Sequence, residues 1–245
     1  MTEERLGLTF GRVAGAYDRL RPAFASAAVD HAVASLDLAT GASVLDLAAG
    51  TGILTRALRS RIAEVIAVEP DHEMRAYVGG DARAGYAEAI PLEDSSVDAV
   101  FVGDAFVWFD VPRSLAEIER VLRDGGGLAL FWRDWYGREE PPVPPEVRLL
   151  LTRLFERFRR GGPSSDAWRD DLSRSAFGRL EHASFEERLV LSGRDLADLE
   201  LTRSSAAMLD DDDRAGLAAR IYPHMEPSYE LSVVTEVQLT RLKPR

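Results

Sequence analysis

Val44-Leu45-Asp46-Leu47-Ala48-Ala49-Gly50-Thr51-Gly52 is an apolar run that ends in a turn of small residues. Val44, Leu45 and Leu47 predict a buried strand, which Asp46 interrupts. From Ala48 to Gly52 no side chain is larger than threonine, so the backbone can approach a ligand closely. A helix predicted from Ile53 would present its unpaired N–H groups to that ligand. The stretch therefore predicts a strand–turn–helix unit that binds a nucleoside-containing cofactor.

Reading outward, the same alternation repeats. After the turn, residues 53–61 predict a helix and 64–69 an apolar strand ending on an acid. Pro70 then opens a helix over 71–78, and Gly79-Gly80 stop it. A weak strand is expected at 83–87 and a clear buried one at 97–102. Residues 112–122 form an amphipathic helix with Leu115, Ile118, Val121 and Leu122 inward. A turn at 124–127 leads into a strand over 128–132. Strands and helices alternating at this spacing make β-α-β units and a parallel sheet. Continuous rather than alternating apolar character in the strands means burial on both faces. Before the core, residues 23–36 are helical, and the break at Arg21-Pro22 separates them from an N-terminal helical stretch. Beyond 138 the prolines mark an exposed connection. Helices follow at 145–160 and 166–177, then a strand at 185–191, helices at 193–202 and 210–221, and a long final strand at 231–242. Asp210–Asp213 read as the N-cap and first-turn charge of the last helix rather than as a cation site.

The chain has 245 residues and a formal net charge of −11. Such an acidic surface repels a phosphate backbone, so nucleic acid is not the expected partner, despite Arg157-Phe158-Arg159-Arg160 and the basic C-terminus. No apolar run approaches the roughly 20 residues needed to span a bilayer, and the N-terminus has no signal-peptide core. A cytoplasmic protein without a membrane partner is expected. Cysteine is absent. That excludes disulfides, thiolate nucleophiles and cysteine metal sites. Metal-ligand spacing is also lacking.

Three nucleotide readings compete for the turn. A phosphate-binding P-loop needs a lysine after the glycines, and Gly52 is followed by Ile53. A dinucleotide fingerprint needs a third small residue where Thr55 stands. The third reading is S-adenosylmethionine. From Asp46 to Gly52 the chain resembles the first motif of the class I, Rossmann-like S-adenosylmethionine-dependent methyltransferases, with Ala48 in place of the commoner glycine. Further segments carry the likeness. Phe10-Gly11-Arg12-Val13-Ala14, Tyr17-Asp18 and Arg21-Pro22 look like the family's N-terminal lid. Ala67-Val68-Glu69-Pro70 with Met74 resembles its second strand and following helix, and Ala87-Glu88-Ala89-Ile90-Pro91 its adenine-side segment. Asp104 to Asp110 resembles the loop after its fourth strand, and Arg120 to Gly126 the helix–turn before its fifth.

The resemblance implies an α/β fold: a Rossmann-like parallel sheet with helices on both faces, an antiparallel C-terminal strand and a helical lid. It implies one methyltransferase domain over 1–245. The N-terminal helical lid would be 1–40, the cofactor-binding core 41–133, the helical substrate lid 134–180, and 181–245 would complete the sheet. It implies cofactor contacts at Tyr17, Arg21, Asp46, Ala48, Ala49, Gly50, Thr51, Glu69, Pro70, Met74, Ala87, Glu88, Asp104, Ala105 and Phe106. Glu69 would accept from both ribose hydroxyls, unless it only caps the helix at Asp71. Glu88 or the Ala87–Glu88 backbone would meet the adenine edge, with Met74 and Ile90 on its faces. Asp46 or the 48–50 backbone would face the methionyl ammonium, unless Asp46 only orients the turn. Arg21 would meet the carboxylate, with Tyr17 closing over it; the other readings are an Arg21 that pairs with a surface acid and a Tyr17 that packs within the lid. Aromatic faces at Phe106 and Trp108, and the charge of Asp104, suit a sulfonium.

Trp108 and Arg133 are the expected substrate contacts, Arg133 for a carboxylate; the other readings are a core Trp108 and a solvated strand end at Arg133. Trp132, Trp135, Tyr136, Phe155, Phe158 and Trp168 either line an apolar acceptor pocket or form the core of the lid. The trans-aconitate-type branch commonly carries Gln at 104 and His at 107. Here they are Asp104 and Val107, so a histidine acid–base role does not carry over, and none of the four histidines stands out as a base. The expected activity is methyl transfer to a small organic acceptor, leaving S-adenosylhomocysteine. The alternatives are a cofactor-binding sensor or partner subunit without transfer activity, and an NAD(P)-dependent oxidoreductase.

Overall fold

The computed structural model describes residues 10–135, 142–158 and 167–243. Helices α1 (Ala14–Leu20) and α2 (Ser26–Ser35) precede strand β1 (Ser43–Leu47). Then follow α3 (Ile53–Arg59), β2 (Glu64–Val68), α4 (His72–Val78), β3 (Val97–Gly103), α5 (Val111–Val121) and β4 (Leu122–Asp134). The C-terminal part contains α6 (Pro145–Phe158), α7 (Ala167–Arg174), β5 (Glu181–Ser192), α8 (Gly193–Glu200), α9 (Ser204–Ala207), α10 (Asp211–Ile221) and β6 (Ser228–Arg241). The strands form one six-stranded sheet in the order β2-β1-β3-β4-β6-β5. The pairs β1–β2, β1–β3 and β3–β4 are parallel, and the C-terminal strands are antiparallel. The α/β, Rossmann-like architecture expected from the sequence is the one observed.

The chain divides into two compact units. One comprises residues 23–133, 163–185 and 235–245 and holds the parallel strands. Alternate strand residues feed two apolar layers there. Leu45, Leu47, Val100, Val102, Leu128 and Leu130 pack with Leu115 and Ile118 of α5 and Leu172 of α7. Val44, Ala99, Phe101, Ala129 and Phe131 pack with Ala28 and Val29 of α2 and Leu54 and Leu58 of α3. This burial on both faces is why the strands read as unbroken apolar runs. The other unit comprises 1–22, 134–162 and 186–234. Its core gathers Trp135, Val147, Leu154, Leu196, Leu199, Ile221 and Leu231.

Helix starts follow local side-chain chemistry. Asp71 accepts from the N–H groups of Glu73 and Met74 to cap α4, and Asp110 accepts from Arg113 to cap α5. Asp210 caps α10 through Asp213 N, and Arg214 pairs with Asp211, so the aspartate run takes the capping role expected of it. Two expectations need correction. Residues 83–87 form no strand: Arg83 makes a single bridge to Val68, donating to Ala67 O and accepting from Glu69 N. With Gly85 and one large apolar residue, that segment has too little to bury. The expected turn at 124–127 is an irregularity inside β4, with Val97 opposite Leu122 and Ala99 opposite Gly127. Gly125, at φ +73°, lets the extra residues bulge out without breaking the strand.

Candidate functional site

β1 lies between β2 and β3, so the chain leaves β1 to one side and returns on the other. At such a switch point the carboxyl ends of the strands open a crevice, the usual ligand position in an open parallel sheet. The 48–52 turn sits at the end of β1. Ala48, Gly50 and Gly52 all have positive φ, at +57°, +59° and +84°. The turn is pinned by Ala49 N donating to Val68 O and Gly52 N donating to Ala49 O. Glycine at 52 is required twice over. It adopts a left-handed conformation, and a Cβ there would lie 2.9 Å from Val78 Cα.

Glu69, one residue past β2, is only 6% exposed. Its Oε2 accepts from Gly50 N at 2.8 Å and its Oε1 from Asp71 N at 2.9 Å. One carboxylate thus ties the glycine turn to the start of α4. Each oxygen retains a second lone pair for a hydroxyl donor. Burial raises the Glu69 pKa, and the two N–H groups oppose that shift. The Pro70 and Glu69 carbonyls both accept from Arg75, which steadies the strand exit.

Asp46 is 1% exposed, its Oδ2 accepting from Thr55 Oγ1 at 2.5 Å. Its Oδ1 is buried without a hydrogen-bond partner, as is Thr51 Oγ1. Burial pushes the Asp46 carboxyl up to about 7, against the lowering effect of the Thr55 hydroxyl. A buried acceptor left unmatched in this way suits an incoming cationic donor. Thr55 carried only a negative meaning in the sequence, as the residue that spoils a dinucleotide fingerprint. Its role as partner of Asp46 had one readable signal, a hydroxyl on the first turn of the helix after an acid-bearing strand.

Met74 is buried on α4, with its Cε 3.5 Å from where a Cβ on Gly50 would stand. Ala87 and Ile90 are buried in the same apolar layer as Leu47 and Val68. Glu88 is tied to the start of the next helix through one oxygen. Its Oε1 accepts from Asp110 N at 2.9 Å and Ser114 Oγ at 3.2 Å, at the start of α5.

Asp104 follows β3 with φ +56°. Its Oδ1 accepts from Arg133 N at 2.9 Å, and its Oδ2 from Arg133 Nε and Nη2 at 2.8 and 2.6 Å. The Arg133 guanidinium lies 4.1 Å from the Phe24 ring centroid, and its side chain is 2% exposed. Arg133 is therefore no solvated strand end, and its charge is matched by Asp104. A charge this buried needs its counterion, and Asp104 supplies it. Phe106 is buried edge-on against Phe109 and Trp168, and Trp132 stacks on Trp168. Among the aromatic candidates, Phe106, Trp132 and Trp168 thus belong to packed structure. Ala105 and Trp108 are half-buried on the same turn, where Trp108 N donates to Ala105 O.

Tyr17 and Arg21 belong to the other unit. The Arg21 guanidinium lies 4.5 Å from the Tyr17 ring centroid and 4.6 Å from that of Trp135. It donates through Nε to Thr202 Oγ1 and through Nη2 to Thr202 O, both at 2.9 Å. Trp135 is core there, its indole N–H donating to Glu200 Oε1 at 3.0 Å. Phe155 is exposed. Tyr136, Arg159, Arg160 and the side chain of Phe158 lie outside the described residues.

A small-residue turn at the switch point, with Asp46 inside the first strand and Glu69 just past the second, makes this crevice the candidate ligand site. Comparison with known proteins agrees. Residues 45–130 match the family described as a methyltransferase domain. An uncharacterised methyltransferase of Mycobacterium tuberculosis is 45% identical over 167 residues, covering 59% of this chain and 65% of that one. The match thus spans just under two thirds of the relative's length. A malonyl-[acyl-carrier protein] O-methyltransferase of Pectobacterium atrosepticum is 34% identical over 133 residues, 52% of each chain. A solved structure from Anaeromyxobacter dehalogenans, provisionally assigned as a type II methyltransferase, is similar at a TM-score of 0.61. That likeness covers 92% of this chain and 99% of the other at 24% identity, and shows the fold. Residues 45–130 belong to the methyltransferase domain family.

Proposed function

We propose that this chain holds S-adenosylmethionine at the 48–52 turn and transfers its methyl group to a small organic acceptor by in-line displacement. The observation that carries the reading is the pair of buried, half-satisfied acids, Glu69 and Asp46 with Thr51, around a turn of small residues. Their chemistry fits the donor molecule. A ribose diol matches the spare lone pairs of Glu69, and an ammonium matches the unpartnered Asp46 Oδ1. Met74, Ala87 and Ile90 supply the apolar surface for a base, and with Glu88 engaged at α5 its polar contact falls to the Ala87–Glu88 backbone.

When bound, the donor supplies a methyl group already activated on a sulfonium. The chain's task is then to align the acceptor and exclude water, and positioning alone can lower such a barrier by roughly 7–11 kcal/mol. A general base is needed only where the acceptor must lose a proton. The apolar packing of Phe106 with Phe109 and Trp168 keeps the loop after β3 dry and stiff. Arg133 acts through Asp104, holding the end of β3 to the end of β4, rather than by touching an acceptor carboxylate. The assignment of Tyr17 and Arg21 to the methionyl carboxylate rests on the family resemblance alone.

Titration calorimetry with S-adenosylhomocysteine and with NAD(P), followed by methyl-transfer assays across acids, phenols and amines, tests the reading. Binding of NAD(P) but not S-adenosylhomocysteine would sink it. Tight S-adenosylhomocysteine binding without transfer to any acceptor favours the sensor or partner-subunit alternative. The relative from Pectobacterium makes a malonyl thioester the acid to include in the panel.

A further inference from the structure

The segment after Arg83 leaves the sheet edge and returns to β3 without joining a strand, so its backbone polar groups must find partners elsewhere. Most of the partners seen along 88–96 come from α5 and its N-cap, Asp110. At the start of the helix, Glu88 accepts from Asp110 N and Ser114 Oγ. Further along, Glu117 Oε2 accepts from Ile90 N at 2.8 Å. Arg120 Nη2 donates to Ile90 O at 2.9 Å, and Nη1 donates to Leu92 O and to Asp94 Oδ1, both at 2.8 Å. Arg120 Nε and Nη2 also grip the two oxygens of Glu117, at 2.7 and 2.8 Å. At the helix end, Ser95 N and Ser96 N donate to the carbonyls of Arg120 and Val121. The segment is thus laid along α5 and fastened at every turn. Its other end is tied to β2 through Arg83, whose carbonyl accepts from Glu69 N.

We propose that Arg120, braced by Glu117, is a positioning residue for recognition of the cofactor's base. It sets the height of Ile90 and Ala87 relative to the strand end that carries Glu69, and so fixes the apolar wall and backbone edge that the base meets. The proposal rests on the reading that the site takes S-adenosylmethionine. An arginine is required because a planar fork can serve Ile90 O, Leu92 O, Asp94 and Glu117 together, whereas an ammonium on a flexible stem cannot. The methionyl end faces a different element, the 48–52 turn, and no hydrogen bond of Arg120 reaches it.

The test compares S-adenosylhomocysteine with S-inosylhomocysteine, which differs at the base's exocyclic group, by calorimetry on the full chain. In the unaltered protein S-adenosylhomocysteine binds more tightly. Arg120→Met weakens it about tenfold, the scale of one or two lost hydrogen bonds, and leaves S-inosylhomocysteine nearly unchanged, so the preference collapses. Arg120→Lys restores part of the preference, and Glu117→Gln, which keeps a neutral acceptor for Ile90 N, loses less than Arg120→Met. Melting temperatures recorded alongside identify any variant that does not fold, in which case Arg120→Lys and Glu117→Gln decide. Equal weakening of both ligands, or an unchanged preference in every folded variant, overturns the positioning role. An unaltered protein that binds neither ligand overturns the cofactor reading itself, and this proposal with it.

Discussion

Asp46 has one carboxylate oxygen on the Thr55 hydroxyl and the other buried without a partner. Its pKa, pushed up to about 7 by burial, makes the site responsive to pH near neutrality. The folded protein holds this proton more tightly than the unfolded chain. Stability is therefore highest below the unfolded value near 4, falls as pH rises, and levels off above about 7. Binding of a cationic ammonium runs the other way, since only the carboxylate attracts it. S-adenosylhomocysteine affinity is expected to rise with pH through about 7, and Asp46→Asn should flatten both trends. A pH series of calorimetric and denaturant titrations checks this, and an unaltered slope in Asp46→Asn would remove Asp46 from the ammonium pocket. At Glu69, substitution by alanine is expected to weaken S-adenosylhomocysteine about tenfold or more, for a lost charge-assisted contact worth roughly 1.5–3 kcal/mol. Undiminished affinity would refute the ribose assignment. Position and type of both acids were legible in the sequence, because Asp46 interrupts one apolar run and Glu69 ends the next. Their partners were not, because Thr55 and Gly50 reach them only once the turn has closed.

At the scale of the element, two strand exits carry backbone strain. Ala48 holds φ +57° without the freedom of glycine, which explains why a glycine is commoner there in the family it resembles. Ala48→Gly is expected to stabilise the protein by about 0.5–1 kcal/mol, relief of left-handed strain exceeding the entropy lost by glycine. Chemical denaturation reads this directly, and a destabilised variant would mean the alanine methyl packs favourably. The second exit, Asp104 at φ +56°, is held by Arg133. Arg133→Met leaves Asp104 without its counterion and is expected to cost about 3 kcal/mol or more in unfolding free energy. Its effect on KM should be equal for acidic and neutral acceptors. A KM rise confined to acidic acceptors would show that Arg133 meets the substrate after all. The sequence put Asp104 and Arg133 at strand ends and assigned them separate tasks. Their pairing depends on the register of β3 against β4, Gly103 opposite Phe131, which no local pattern encodes.

For the whole molecule, the parallel sheet with its crevice at the β1/β3 switch point follows from the order of apolar runs and their connections. None of the described helices is long and apolar enough to cross a membrane. A ligand that binds the folded state alone raises its stability by mass action, about 2.7 kcal/mol at a hundred times its dissociation constant. For a chain of this size the melting temperature should climb by roughly 5–10 °C with S-adenosylhomocysteine, and stay fixed with NAD(P). A shift with NAD(P) alone would return the dinucleotide reading.

The sequence by itself determined the β-α-β order, the small-residue turn at 48–52, and the acids at 46 and 69. Each is written in contiguous residues, where side-chain size and apolar periodicity act locally. Only the tertiary structure decided which groups those acids and their neighbours meet. One oxygen of Glu88 accepts at the start of α5, and Arg133 pairs with Asp104. Charged side chains near a packed sheet go to whatever partner relieves the penalty of burial. Strand register and helix placement across tens of residues decide which partner is within reach.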